Sequence, residues 1–317
     1  MKKLVIKSFL YFVLILCVLE VLIRVFHLTK DYPVRIVDEY NVEKWMPKQE
    51  GYSVTGNRRQ NFSKFYINNS GYNSYREFTP SKDKVEIALV GDSFIEGFHQ
   101  NYYNSIGKKI ENSLKDVEVY EYGYAGYDLA DQLHLIHQYK STFDLIDHVI
   151  LGINFEDDLI RGDYGIIADR MKFESPIYRA MRQIKLLVYL QNIGAFDAPR
   201  KLIRKLLSGG SSNKIKRTAL EEETLRKELE IKYIINFENL MRLYEFDKER
   251  FTFLLDSANT PLVFIKYLKD HDLKYIDFSS VLKKSKTPTT LIYDKHWNNH
   301  GRNIIAELIV NYIRNTK

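Results

Sequence analysis

The sequence predicts an α/β protein in which helices cover both faces of a parallel sheet, carried behind one N-terminal membrane helix. Three observations predict it. From residue 85 onward, short apolar runs recur as candidate strands: Val85 to Val90, Val117 to Tyr122, His148 to Gly152, Phe251 to Leu255 and Lys274 to Phe278. Between them, apolar residues fall at helical spacing, as in Ile106, Ile110 and Leu114, or Leu129, Leu133, Ile136 and Tyr139. Ahead of all this lies a single long apolar run. Strand-helix alternation implies parallel strands, and ligands of such sheets bind beyond the strands' carboxyl ends.

The chain has 317 residues, 45% hydrophobic and 28% charged, which suits one catalytic-sized globular domain with appendages and argues against disorder or a polytopic membrane protein. The net charge of +6 is modest and forms no nucleic-acid-like stripe. The single cysteine, Cys17, sits inside the apolar run, so neither a disulfide framework nor a thiolate metal cluster is expected. The 23 tyrosines suit polar clefts and carbohydrate surfaces, although AT-rich coding enriches tyrosine without any function.

Lys2 and Lys3 precede a run from Leu4 to Phe26 interrupted only by Lys7, Ser8, Glu20 and Arg24. At about 1.5 Å per residue this run can cross a hydrocarbon core of about 30 Å. No small-residue cleavage site follows it, so an uncleaved signal anchor is expected, with Glu20 and Arg24 paired one helical turn apart. Basic residues flank both ends. The expected orientation puts the remaining chain in the periplasm or on the outer face of a bacterial plasma membrane.

The chain divides into an anchor at 1–30, a polar spacer and lead-in at 31–80, and a domain at 81–317 with a helical insertion at about 159–250. Two stretches of that insertion, Arg182 to Leu187 and Arg200 to Leu207, are basic and amphipathic, suited either to a solvated face or to anionic lipid. Ser208-Gly209-Gly210-Ser211-Ser212 reads as a flexible turn before helix resumes at Glu221 to Ile235.

Two constellations carry chemistry. In Val90-Gly91-Asp92-Ser93-Phe94 a buried strand runs into a turn and then a helix, which projects a serine hydroxyl at the sheet's carboxyl edge beside helix N–H groups. The same residues also read as a plain helix start capped by Asp92 or Ser93. Near the C-terminus, Asp294 and His296 stand two apart in a loop. A serine needs a base, imidazole titrates near working pH, and a carboxylate on its other nitrogen fixes the tautomer. His134 and His137 are three apart but lack a third zinc ligand of suitable spacing, and His300 is an alternative to His296. His99, His148 and His271 show no partner pattern.

Taken together, these residues resemble the SGNH, or GDSL-type, hydrolases over about residues 66–315 apart from the insertion. Gly91-Asp92-Ser93 resembles the nucleophile block. Tyr122-Gly123-Tyr124-Ala125-Gly126-Tyr127 resembles the second block, whose last glycine lends a backbone N–H to the oxyanion hole. Gly152-Ile153-Asn154 resembles the third, whose asparagine is another donor, and Asp294 to His296 resembles the last. The resemblance implies a three-layer α/β/α, flavodoxin-like fold with a five-stranded parallel sheet, a Ser93–His296–Asp294 triad and an oxyanion hole from Ser93, Gly126 and Asn154. No cofactor or metal is expected.

Some blocks depart from the pattern. The second lacks its leading Asn, Phe155 stands in place of the Asp after Asn154, with Asp157 or Asp158 as candidates to replace that carboxylate, and the Asp-to-His spacing is one residue short. The short form, Asp294-Lys295-His296-Trp297, is similar to the Asp-x-His-Trp signature of alginate O-acetylation proteins, and Asn68 to Asn73 resembles the lead-in of anchored bacterial members. The expected activity is that of a serine esterase on a glycan or lipid ester, chiefly deacetylation of a cell-surface glycan, with Tyr293, Trp297 and Tyr122, Tyr124 and Tyr127 as sugar platforms. The alternatives are an O-acyltransferase of exopolysaccharide or cell-wall glycan, and a non-catalytic glycan-binding or assembly subunit.

Overall fold

The computed structural model describes residues 1–56, 59–198, 200, 201, 203 and 218–316. The proposed Ser208 to Ser212 turn and most of the Arg200 to Leu207 stretch lie outside the described residues. Helix α1 (Lys2–Val25) carries the apolar run, and Ile23 is its one buried residue. Two antiparallel hairpins follow, β1 (Arg35–Val37) with β2 (Glu43–Trp45) and β3 (Glu50–Thr55) with β4 (Asn61–Tyr66).

The segment at 31–80 is therefore more ordered than a polar spacer. Val42, Trp45, Phe65, Ile67 and Tyr72 are buried in the same apolar cluster as the main sheet. Local polarity disguised this because β2 and β4 hide only alternate residues, as the period-two pattern of a strand requires, while β1 buries none and β3 only Ser53 and Val54.

The main sheet holds β5 (Val85–Gly91), β6 (Val117–Gly123), β7 (His148–Gly152), β8 (Phe251–Leu255) and β9 (Tyr275–Asp277), in the order β6-β5-β7-β8-β9 and parallel throughout. Alternation along β5 shows why both faces are covered: Ala88 and Val90 enter one apolar cluster, Ile87 and Leu89 the other. The helical elements are α2 (Ser93–Glu96), α3 (Ile106–Ser113), α4 (Leu129–Gln138), α5 (Lys140–Phe143), α6 (Phe155–Asp158), α7 (Ala168–Lys172), α8 (Pro176–Gln183), α9 (Lys185–Asn192), α10 (Ala219–Leu243), α11 (Leu262–Asp270), α12 (Ser279–Lys284) and α13 (Asn299–Asn315).

Helices α4, α10 and α11 pack the first face through Leu133, Phe237, Leu240 and Phe264, and α3 and α13 pack the second through Ile106, Ile110, Ile305 and Ile309. Phe237 and Leu240 are completely buried, so the end of the long α10 is part of the core layer between β7 and β8. Each such side chain contributes about 1.5–3 kcal/mol by leaving water. Sheet order reverses direction about β5, which puts the crevice at the carboxyl ends of β5 and β7.

Candidate active site

Strand β5 ends at Gly91, Asp92 caps α2 by accepting from Phe94 N–H at 2.9 Å, and Ser93 is the first helical residue. The cap and the half-buried hydroxyl thus coexist, each on its own residue. Gly123 lets β6 press against this turn, since a Cβ there would lie 2.0 Å from the Glu96 backbone nitrogen.

Ser93 Oγ lies 2.6 Å from His296 Nε2, across 203 residues of sequence. His296 Nδ1 donates to Asp294 Oδ1, as does the His296 backbone N–H at 3.1 Å. With Nδ1 protonated, Nε2 is the acceptor and the serine hydroxyl is the donor. Burial works against the Asp294 charge, but the hydrogen bonds from His296 outweigh it and hold the carboxyl below its ordinary range. The loop bearing these groups is pinned by a bridge between Thr290 and Trp297 and by Leu291 N–H donating to the His296 carbonyl at 3.0 Å.

Gly126 stands beyond the end of β6 with φ at +95°, a conformation that favours glycine. The loop before it is tied to the serine helix, because Ala125 N–H donates to Glu96 Oε1 at 3.0 Å. Asn154 caps α6 at the end of β7. Its backbone N–H donates to Asp158 Oδ2 at 2.7 Å, and its Nδ2 donates to Asp157 Oδ2 at 2.8 Å. Asp157 and Asp158 therefore both hold it. Burial raises Asp158 well above the ordinary carboxyl range, against the backbone N–H of Asn154, which favours its charged form.

Beside the serine turn opens a cavity of about 540 Å³. Its apolar wall includes Phe94, Ile153, Leu254 and Trp297, and its polar groups include Asp157, Asp256, Asn259 and Lys295. Such a space admits a small acyl group or one sugar ring with polar groups at its rim.

No known sequence family and no curated protein matches the chain. Among solved structures, it is similar to the lipase/acylhydrolase from Enterococcus faecalis, at 14% identity and a TM-score of 0.38 over 73% of this chain and 96% of that one. It is also similar to a member of the lipolytic protein G-D-S-L family from Veillonella parvula, at 14% identity and a TM-score of 0.39 over 73% and 98% of the two chains. At such values the case for a site rests on the side chains themselves.

Three groups at the site carry no sequence signal. His99 stacks on His296 with ring centroids 3.7 Å apart, and its Nε2 lies 3.3 Å from Asp294 Oδ2. Burial and the neighbouring His296 push its pKa down to about 3, so His99 stays neutral and can donate to the carboxylate. With Phe94 at 4.7 Å on another side, the imidazole of His296 is held between two rings. Glu96 is buried, accepts from Trp45 Nε1 at 2.7 Å as well as from Ala125, and is pushed by burial up to about 7. Arg170, from the insertion, donates to the Gly126 carbonyl and pairs with Glu43 and Asp131 at 3.3 and 3.1 Å. None shows in the sequence because each acts across a distance that only folding closes.

Other expectations are corrected. Tyr122, Tyr124 and Tyr127 are buried, packed beneath the site with Trp45 and Tyr72, so they are core residues and not sugar platforms. Trp297 is also buried, edge-on against Phe94, while Tyr293 remains exposed. His134 bonds the Tyr40 carbonyl at 3.1 Å and stacks on Tyr164, and His300 lies 3.0 Å from Ser285 Oγ. The group of potential metal ligands among the described residues is His99, Asp294 and His296, whose facing atoms already bond one another.

Proposed function

We propose that this chain is a membrane-tethered serine esterase of the SGNH type. The observation that carries the reading is the Ser93 hydroxyl hydrogen-bonded to a histidine whose second nitrogen is bonded to a carboxylate. In the proposed reaction, His296 Nε2 takes the Ser93 proton as Oγ bonds the ester carbonyl carbon. The carbonyl electron pair moves onto oxygen, where N–H groups of Ser93 and Gly126 and the Asn154 amide stabilise it. Collapse of the tetrahedral species breaks the bond to the leaving alcohol, which receives the proton from His296. An acyl-serine remains, and water activated by His296 releases the acid.

The polar groups of the cavity, Asp157, Asp256, Asn259 and Lys295, support a carbohydrate ester as substrate, with acetyl as the proposed acyl group. A sugar hydroxyl replacing water would make the same acyl-serine an O-acyltransferase intermediate. Helix α1, with its apolar and almost wholly exposed surface, supports an anchor, and the proposed orientation puts the domain on the outer side of the plasma membrane.

A fluorophosphonate probe should label the wild-type protein at Ser93, and Ser93→Ala should lose both labelling and p-nitrophenyl acetate hydrolysis. Hydrolysis unchanged in Ser93→Ala would overturn the assignment, and absent labelling of the wild type would favour the non-catalytic subunit. Protection of the folded domain from protease in spheroplasts would overturn the orientation.

A further inference from the structure

Helix α1 carries two charges near its C-terminal end, and both engage the insertion. Glu20 accepts from the backbone N–H of Lys185 at 3.0 Å and of Leu186 at 2.6 Å, the first residues of α9. Arg24 donates to the Gln183 carbonyl at the end of α8 and to Glu20 at 2.7 Å. The pair caps both helix ends that meet at Ile184, taking up the free N–H groups of one and a last carbonyl of the other. Asn192 Nδ2 donates to Thr29 Oγ1 at 3.0 Å, and Lys185 pairs with Asp31 at 2.5 Å, extending the clamp into the segment that follows α1. The α8–α9 elbow is therefore fixed at the level of Glu20 and Arg24.

That level coincides with a bilayer surface. Helix α1 has 24 residues, and a hydrocarbon core of about 30 Å takes up about 20 of them at about 1.5 Å each. If Lys2 and Lys3 mark one surface, the other falls at the last turn, beside the elbow. The outer face of α8 has matching chemistry. Ile177, Met181 and Ile184 stand at i, i+4 and i+7 on one stripe, with Phe173 and Tyr178 beside it. Ile177 is 73% exposed and Ile184 51%, the reverse of what a solvated helix would present. Arg182 reaches onto Tyr32 and Glu174, with its guanidinium also 5.7 Å from the Phe173 ring centre, so its charge is engaged at the edge of the stripe.

We propose that the α8–α9 elbow is a membrane-interfacial foot: Phe173, Ile177, Tyr178, Met181 and Ile184 enter the boundary between headgroups and acyl chains around α1. The foot sets the height of the site above the bilayer. The same assembly reaches the triad from behind, since Leu28, Lys30, Tyr189 and Asn192 line one cavity of about 220 Å³ with His99 and Asp294. A site held in this way faces esters borne at the membrane surface. The inference rests on reading α1 as a membrane span.

The test uses the full chain in nanodiscs made with brominated phospholipid. Its two native tryptophans, Trp45 and Trp297, are buried and supply a constant background. Ile177→Trp and Ile184→Trp each report the foot, Leu14→Trp reports the middle of α1, and Asn112→Trp, exposed near the sheet's amino edge, reports the aqueous side. The thermal midpoint of each variant confirms folding. The foot reporters should lose about twice as much emission as Asn112→Trp, as expected of a side chain at the boundary of the acyl chains. Quenching of Leu14→Trp with foot reporters that match Asn112→Trp would overturn the foot and leave the anchor standing. Failure of Leu14→Trp to quench would overturn the anchor and the foot with it.

Discussion

The serine turn and the histidine loop face each other across 2.6 Å and are held in place by opposite means. Ser93 is fixed by backbone: a buried strand, an Asp92 cap and a four-residue helix pressed on β6. His296 lies in a loop held by a single backbone bridge, and its ring is oriented by side chains, with Phe94 and His99 on the ring and Asp294 on its nitrogen. A backbone-held group tolerates changes in its neighbours. A side-chain-held group depends on each of them, so substitutions around the base should affect catalysis before stability, and substitutions around the serine turn the reverse.

Replacing His296 with alanine sets the upper limit on the base side. Under the proposed mechanism kcat should fall by about 10⁴-fold or more, with little change in thermal midpoint. Fluorophosphonate labelling rates and calorimetry measure the two, and comparable labelling of both proteins would break the comparison.

Next in size is His99→Ala. Losing the stacked ring and the donor to Asp294 Oδ2 should lower kcat by about 10- to 100-fold with KM nearly unchanged, as expected when a reacting group is displaced by a fraction of an ångström. His99→Asn, which restores a donor to the carboxylate without the ring, should recover part of the loss. A fall in stability with kcat intact would assign His99 to packing alone.

The smallest expected effects lie on the serine side. Trp45→Phe removes the indole N–H bonded to Glu96 and should cost about 1.5–3 kcal/mol of stability, read by denaturant unfolding, with kcat changed little. Glu96 itself carries a pH signature. Its folded pKa of about 7 lies above the ordinary 4.5, so the native state favours the protonated form. That contribution is complete below the unfolded value and is lost as pH rises through the folded one. Wild-type stability should therefore fall between about pH 4.5 and about pH 7, and Glu96→Gln should flatten that slope. An unchanged slope in the variant would remove Glu96 from the account.

Much of this was legible in the residues. The five strands were marked by apolar runs, and His148–Gly152 and Phe251–Leu255 match their predicted limits because strands buried on both faces read as near-continuous apolar runs. The β9 strand, Tyr275–Asp277, is shorter than Lys274 to Phe278. The hairpins at 35–66 were hidden by alternating polarity, and His99 by having no neighbour in sequence with which to form a pattern.

The sequence by itself determined the sheet, the helices over it, the apolar N-terminal helix and the two short runs that carry Ser93 and the Asp294–His296 pair, because each is written in periodicity or turn chemistry within a dozen residues. Only the tertiary structure decided that these two runs meet, that His99 backs Asp294, that Glu96 and Arg170 hold the loop around Gly126, and that Glu20 and Arg24 cap the elbow. Those contacts join residues far apart in the chain, and no local pattern records which distant partner a buried charge or ring will find once the core has closed.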